Sequence, residues 1–381
     1  MSMPRSSHRV RRFACNYLST LAFIAMSWWI VSDLSEFHRS ILQAQWRFGM
    51  FELEAVLTVR TLFLFLMGLY AIVLVPFYLK YPWLHSKAFV FLQGLRFSLL
   101  RLSRPVSRAR QARLARNPMG LPLKAGLSPA AKQAGLALLL KFFFAPLMIN
   151  WCLGHAGDLG NSLVAAWNGI RQGLAGRVLF DSSLFWACFQ LILFVDTLLF
   201  TLGYIVETPA LRNRIRSVDP TFFGWAVCLA CYPPFNEFTG RFLQWQSSDF
   251  PQFQNDALHF AANISVLAAL AVYSWASVAL AFKASNLTNR GIVGHGPYAL
   301  VRHPAYAAKN LAWWIGALPN LYAIFASGNL RYGIYALICL CGWTLLYVLR
   351  AITEERHLLM GGNGYAEYAQ RVRWRFIPRV V

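Results

Sequence analysis

At 381 residues with a formal net charge of +21, the chain is 57% hydrophobic, 15% aromatic and only 13% charged. A soluble domain is about one quarter charged, so this composition excludes an ordinary water-soluble globular protein and describes a polytopic membrane protein. The positive excess would point to nucleic acid in a soluble chain. Here most of it sits in loops between apolar runs, where topology alone accumulates Lys and Arg, and no nucleic-acid partner is expected.

A helical crossing takes roughly 20 mainly apolar residues, because hydrocarbon offers no water to backbone groups. Runs that meet this lie at residues 14–31, 56–79, 135–153, 184–206, 221–234, 257–282, 305–326 and 332–350. The predicted fold is all-α: a polytopic transmembrane helix bundle of about eight spans. The first run follows basic residues as a signal peptide would, but no convincing small-residue cleavage site follows, so it reads as a retained anchor. The fifth, TFFGWAVCLACYPPF, is short and ends in two prolines. It reads either as a crossing or as a re-entrant or interfacial helix, the latter only where protein or water satisfies the broken backbone.

Charge placement favours the even count. Eleven Lys and Arg and no acidic residue lie between Lys80 and Lys132, which predicts a cytoplasmic loop at 80–133. The N-terminus (Arg5, Arg9, Arg11, Arg12), the 207–220 loop (Arg212, Arg214, Arg216) and the Arg-rich tail at 371–379 fall on the same side if all eight runs cross. Both termini are then cytoplasmic. The loop at 32–55, with Asp33, Glu36, Glu52 and Glu54, faces out. The stretch GLRFSLLRLSRPVSRARQARLARNP reads equally as an amphipathic segment on an anionic leaflet and as a solvated topogenic loop.

Within the spans, Arg60, Lys141 and Asp196 are costly facing lipid and are candidates for function. Arg60 and Lys141 lie near span ends, where long side chains snorkel; Asp196, central in LILFVDTLLF, is the sharper candidate. The seven cysteines lie mostly in apolar runs, and the lone Cys228/Cys231 CxxC pair, with no second pair or His cluster, reads as helix packing. Gly294-His295-Gly296 is only GxG, too little for a nucleotide loop. Residues 1–256 form an N-terminal transmembrane region of unassigned role, and residues 257–381 carry the chemistry.

In that C-terminal third, GHGPYALVRHPAYAAKNLAWW precedes a hydrophobic hairpin whose exit reads LYVLRAITEERHLLMGGNGYAEYAQRVRWRFIP. By the topology above, both segments meet the cytoplasmic boundary. Arg350 and Glu354 are four apart and share a helix face, flanked by Glu355; as a bare pattern this is also an ordinary surface ion pair worth about a few tenths of a kcal/mol. Pro297 starts a turn, and Pro304 opens a helix while forcing Arg302-His303 into extended geometry. Backbone N–H groups at that helix start suit a carboxylate, so the site favours a zwitterionic or anionic polar ligand reached from the cytosol.

GPYALVRHPAY, followed after a hairpin by RAITEERHLL, GYAEY and RWRFIP, resembles the C-terminal signature of the isoprenylcysteine carboxyl methyltransferases and phospholipid methyltransferases, which are integral membrane enzymes. The resemblance covers about residues 257–381. It implies a pocket for S-adenosylmethionine lined by Arg290, Gly291, Ile292 and Val293, by Gly296 and Tyr298 of the turn, by His303, Pro304, Ala305 and Tyr306, and by Glu354 with Glu355. It implies that Arg350 acts with the acceptor, a lipophilic or lipid substrate from the bilayer. It further implies a multi-pass protein of a bacterial inner membrane, or of the endoplasmic reticulum in a eukaryote, with its active site facing the cytoplasm. The chain departs from the family at His295, where a threonine or serine usually precedes GPY, and at Ala307-Ala308-Lys309, where a glycine usually follows HPxY. The second departure bears on the acceptor path.

A sulfonium methyl is already strongly electrophilic, so displacement asks the protein for alignment and a dry, shaped pocket, and for no metal. On this reading Glu354 holds a ribose hydroxyl or the amino group, and His303 anchors the carboxylate together with backbone N–H groups. Arg350 steers a carboxylate acceptor, which is ionised at neutral pH and needs no general base. Two other readings remain: an NADPH-dependent membrane reductase like the sterol C14 and C7 reductases, which share an RHPxY element but usually carry tryptophans in place of GPY, and a non-enzymatic small-molecule carrier. The joint presence of His303, Tyr306, Arg350 and Glu354 argues against a degenerate binding protein.

Overall fold

The computed structural model describes residues 5–50, 53–102, 127–362 and 364–380. These residues are overwhelmingly helical, and six helices among them are long and apolar enough to cross a membrane. The protein is therefore an all-α membrane bundle. Its contacts divide it into two compact units, residues 1–39 with 61–143, and residues 40–60 with 144–381.

The first unit contains α1 (Arg5–Trp29), and the chain then passes through α2 (Glu36–Gln43) towards the second unit. It returns as α3 (Val59–Lys80) and α4 (Lys87–Leu102), and the unit closes with the start of α5 (Pro129–Arg171). Asn16 fastens α1 to the turn before α4. Its amide donates to the Leu84 carbonyl at 2.9 Å and its carbonyl accepts from the Ser86 N–H at 2.8 Å. Residues 94–102 of the basic stretch lie on α4; its remainder, 103–118, lies with residues 119–126 outside the described residues.

The second unit includes an antiparallel hairpin, β1 (Gln45–Met50) with β2 (Leu53–Thr58), paired from Gln45↔Thr58 to Met50↔Leu53 and unanticipated from the apolar pattern. After α5 come α6 (Gly176–Ile205), α7 (Phe222–Leu229), α8 (Phe235–Phe242), α9 (Asp256–Leu280), α10 (Pro304–Ala326), α11 (Leu330–Met360) and α12 (Tyr365–Arg371). A two-residue ladder pairs β3 (Ser217–Val218) with β4 (Thr288–Asn289). Side chains fix the helix starts: Asn255, Thr221 and Asn329 cap α9, α7 and α11 by accepting from the N–H three residues on, and Pro304 opens α10. Phe185 and Phe189 of α6, Val266 and Leu270 of α9 and Ala312 of α10 form one buried cluster. Residues 144–256 thus pack within the same unit as the C-terminal segment.

The predicted spans differ in outcome. Those at 184–206 and 257–282 become α6 and α9 with small shifts, while 332–350 becomes the longer α11, which runs on to Met360 and carries Arg350, Glu354 and Glu355 on a single helix. At 23 residues α10 has the length to cross, but Lys309, Asn310, Pro319 and Asn320 lower its hydropathy and it is not one of the six. The run at 221–234 forms no spanning helix. Its helical part, α7, has eight residues, about 12 Å of rise against a hydrocarbon core of about 30 Å.

The chain nevertheless runs from one end of the second unit to the other between residues 219 and 256. At one end β3 meets β4, and Tyr204, at the end of α6, accepts from the Asn286 N–H at 2.8 Å. At the other end Arg177 Nη1 at the start of α6 contacts Asp256 Oδ1, at the start of α9, at 2.5 Å. So α6 and α9 run parallel, and residues 219–255 must return between their ends. They do so as α7, α8 and an irregular stretch at 243–255 that exchanges hydrogen bonds with neighbouring helices. Trp343 Nε1 donates to the Leu243 carbonyl at 2.9 Å, the Ser248 N–H to the Gly316 carbonyl at 3.1 Å, and Asn263 Nδ2 to the Pro251 carbonyl at 2.9 Å. Gly316 permits this approach: a Cβ there would stand 2.1 Å from the Ser248 carbonyl oxygen.

Candidate functional site

The loop between α9 and α10, the first two turns of α10, the last turns of α11 and α12 enclose one cavity of about 180 Å³ in the second unit. Local sequence explains why these segments converge. Gly291 and Gly296, at φ +93° and +59°, turn the 290–298 strip back across the ends of α9 and α11. Pro304 starts α10 directly after His303. The C-terminal tail then pairs with the strip before α10, the Arg302 N–H donating to the Trp374 carbonyl at 2.9 Å and the His303 N–H to the Arg375 carbonyl at 2.8 Å. Tyr368 Oη of α12 donates to the Tyr298 carbonyl at 2.8 Å. Burial pushes the Tyr298 phenol upward and that of Tyr368 up to about 12, so both act as neutral hydroxyls.

Of the residues predicted for the site, Arg290, Gly291, Ile292, Val293, Tyr298, His303, Ala305, Tyr306, Arg350 and Glu354 line the cavity. Gly296, Pro304 and Glu355 do not. The two adjacent glutamates take different roles because their side chains leave α11 about 100° apart. Glu354 faces the cavity, where it accepts from the Tyr306 hydroxyl and lies 3.9 Å from His303 Nδ1. Glu355, 5% exposed, binds the segments that wall the cavity: its carboxylate meets His303 Nε2 at 3.1 Å, Arg375 Nε at 3.1 Å and Arg302 Nε at 3.3 Å.

This geometry alters two sequence-level expectations. His303 Nε2 is engaged with Glu355, and the N–H groups of Arg302 and His303 are spent on the tail, so the helix start has lost two of the donors assigned to a carboxylate. Arg290 has spare ones. It is 2% exposed; Nη1 donates to the Asn213 carbonyl at 2.8 Å, and neither Nε nor Nη2 has a hydrogen-bond partner among the described residues. Burial lowers its affinity for its proton, with Glu207 opposing.

Arg350, 3% exposed, is held by aromatic rings as much as by hydrogen bonds. Its guanidinium carbon lies 5.0 Å from the ring centroids of Tyr306 and Tyr347 and 5.5 Å from that of Tyr232, within cation–π range. Nη2 donates to Asn286 Oδ1 at 3.0 Å, and Nε has no hydrogen-bond partner among the described residues. Tyr232, Asn286, Tyr273 and Lys283 were missed from the sequence, since they arrive from segments distant in the chain. Tyr347 was legible: it is three residues before Arg350 and shares its helix face. Tyr365 and Tyr368 belong to the GYAEY element already singled out.

Asp196 is 5% exposed in α6 and accepts from the Tyr273 hydroxyl at 2.6 Å and from the Ser277 hydroxyl; both donors line the cavity, although Asp196 does not. Cys228 and Cys231 are unpaired, and Cys231 Sγ donates to the Val227 carbonyl at 3.6 Å within its own helix turn.

Chemically, the cavity offers five cationic side chains, Lys283, Arg290, Arg302, Lys309 and Arg350, against two carboxylates, Asp219 and Glu354. Such a lining, with tyrosine rings between the charges, suits a ligand that carries an anionic group and also a cationic or hydroxyl-bearing one. No family model, curated protein or solved structure matches the chain.

Proposed function

We propose that the protein is an integral membrane S-adenosylmethionine-dependent methyltransferase acting on a lipophilic acceptor, with a carboxylate as the group methylated. One observation carries the reading: residues 290–293 and Tyr298, His303 and Tyr306, and Arg350 and Glu354, which come from segments separated in the chain, line a single cavity. The order of motifs that resembles the isoprenylcysteine and phospholipid methyltransferases supports it from the sequence side. The cofactor supplies an electrophilic methyl group on a sulfonium. The chain's residues fit such a molecule. Two buried, unpartnered donors of Arg290 suit its carboxylate. Glu354, with the Tyr306 hydroxyl already donated to it, has lone pairs left for a ribose hydroxyl or an ammonium group. Tyr298, Tyr306 and Tyr347 supply ring surface for a cation.

In this reading Glu355 is a positioning residue: it draws His303, Arg302 and the tail together and so shapes the wall that excludes water. Arg350 orients the acceptor carboxylate, its side chain held by Asn286 and three tyrosine rings. The acceptor is already ionised, so no side chain has to remove a proton.

The eight-crossing topology with cytoplasmic termini belongs to the same proposal. The path of residues 219–255 supplies the eighth crossing as a broken segment, and Arg212, Arg214, Arg216, Arg302, Arg371 and Arg375 gather at the site end, which the positive-inside bias assigns to the cytoplasm. The membrane is a bacterial inner membrane, or the endoplasmic reticulum in a eukaryotic cell. With the native cysteines replaced, Gln172→Cys at the opposite end reacts with an impermeant maleimide from outside and Arg373→Cys does not; the reverse pattern inverts the site.

The function is tested by titrating detergent-purified protein with S-adenosylmethionine, S-adenosylhomocysteine and NADPH. The expected result is S-adenosylhomocysteine binding that is lost in Glu354→Ala and His303→Ala. Binding of NADPH alone moves the protein to the reductase class, and binding of neither leaves a carrier.

A further inference from the structure

Lys309 stands in the cavity with no part in the cofactor's recognition. It lies on α10 one turn beyond Tyr306, at the position where the chain departs from the family it resembles. Its Nζ is 5.4, 5.5 and 5.9 Å from the ring centroids of Tyr273, Trp313 and Tyr347, and it has no hydrogen-bond or ion-pair partner among the described residues. Asp196 and Asp249 interact with it electrostatically from beyond contact range, and Asp196 is already engaged by Tyr273 and Ser277. A lysine at membrane depth costs about 2.5–3.5 kcal/mol, so an unpaired one signals a ligand.

Arg350 shares both the cavity and the Tyr347 ring with Lys309, and its buried Nε is also unpartnered. Two cations on one aromatic wall, each with unused donors, repel each other until an anion joins them. The rings beneath Lys309 lead towards lipid: Trp313 packs edge-on against Trp245 with centroids 4.9 Å apart, and Trp245 is 46% exposed in the segment that returns through the bundle.

We infer that Lys309 and Arg350 form a two-cation seat for a carboxylate headgroup, and that Lys309 selects anionic over neutral acceptors whose apolar tails enter from the bilayer by the Trp313–Trp245 side. This deepens the proposed methyltransferase reading and rests on it for the statement that the seated anion is the methyl acceptor. Binding of the anion itself stands on the geometry alone.

The test uses full-length protein in phosphatidylcholine nanodiscs, with tryptophan fluorescence reporting binding of dodecanoate, dodecanol and acetate after correction for partitioning into empty nanodiscs. Dodecanoate binds the wild type at least about tenfold tighter than dodecanol, as expected for one charge-assisted contact. Lys309→Gln removes that preference while leaving S-adenosylhomocysteine affinity within about twofold, and Lys309→Arg restores it. Equal binding of dodecanoate and dodecanol by the wild type, a measurement that needs no variant, overturns the seat. So does a Lys309→Gln protein that keeps the preference. Acetate binding as tight as dodecanoate overturns the bilayer source. Loss of S-adenosylhomocysteine binding in the wild type with the dodecanoate preference intact overturns the methyltransferase reading and leaves the seat.

Discussion

The second unit carries a charged cluster at each end, and they differ in kind. At the far end Arg177 contacts Asp181 at 3.2 Å, Asp256 at 2.5 Å and the Phe253 carbonyl at 3.0 Å, while fully buried His259 meets Asp181 at 2.8 Å through Nε2. Each of these charged side chains has found a protein partner, and the result ties the starts of α6 and α9 together. At the site end Arg290, Lys309 and Arg350 retain donors that no described residue satisfies, and all three line a cavity. Charge at membrane depth is therefore not enough to mark a site; unfinished hydrogen bonding around a space is what separates a ligand site from a clasp.

That contrast is open to direct attack. Glu355→Ala has the largest expected effect, because it strands His303, Arg302 and Arg375 around a carboxylate they all face. Removing one member of a buried ion cluster costs about 3–5 kcal/mol, and the exposure of Arg375 places this case at about 3. Thermal or denaturant unfolding in detergent reads it, and a loss below about 1 kcal/mol means that Glu355 is not a clasp. Glu354→Ala, one residue away, is expected to weaken S-adenosylhomocysteine binding by at least about tenfold, measured calorimetrically, with little change in stability, because its carboxylate serves the cavity. If the two neighbours exchange phenotypes, the division of labour between them is wrong.

A smaller change separates the two ends. Arg177→Ala loosens the far clasp only slightly, because its carboxylate partners are partly solvated, and leaves ligand binding at the site end unchanged. A coupled loss of binding shows that the ends are not independent. A packing change within the same unit is Gly342→Ala in α11. A Cβ there lies 2.7 Å from a Leu243 methyl carbon, the flexible end of a side chain in the non-helical return segment, so a shift in stability of about 1 kcal/mol in either direction is read by unfolding. Gly316→Ala, which meets the Ser248 backbone instead, is expected to cost more than Gly342→Ala by the same measurement.

Much of the site was legible because its members cluster in two short strings. The RHPAY and RAITEE elements contain His303, Tyr306, Arg350 and Glu354, and helical spacing alone puts the last two on one face. Nothing in the residue order separates Glu354 from Glu355. Their difference is one of direction, about 100° around α11, and it has meaning only when the positions of α10 and the tail are known. Arg290 emerged as the best carboxylate donor for a similar reason: the helix-start N–H groups preferred from sequence turned out to be paired with residues 374 and 375.

Composition and apolar run length were enough to establish an all-α membrane bundle, since hydrocarbon leaves a single chain few ways to satisfy its backbone. The same logic left open whether residues 221–234 cross and said nothing of the path of residues 235–255. An apolar run reports the tendency of a segment to leave water, whereas its shape within the bundle depends on which neighbours offer hydrogen bonds. Leu243, Ser248 and Pro251 remain extended because Trp343, the Gly316 carbonyl and Asn263 supply those bonds. Local sequence thus determined the helices and the residue types at the site end of the second unit. Tertiary structure decided which charges are closed in pairs and which are left open around a cavity, because a hydrogen bond is satisfied only by a partner brought within about 3 Å.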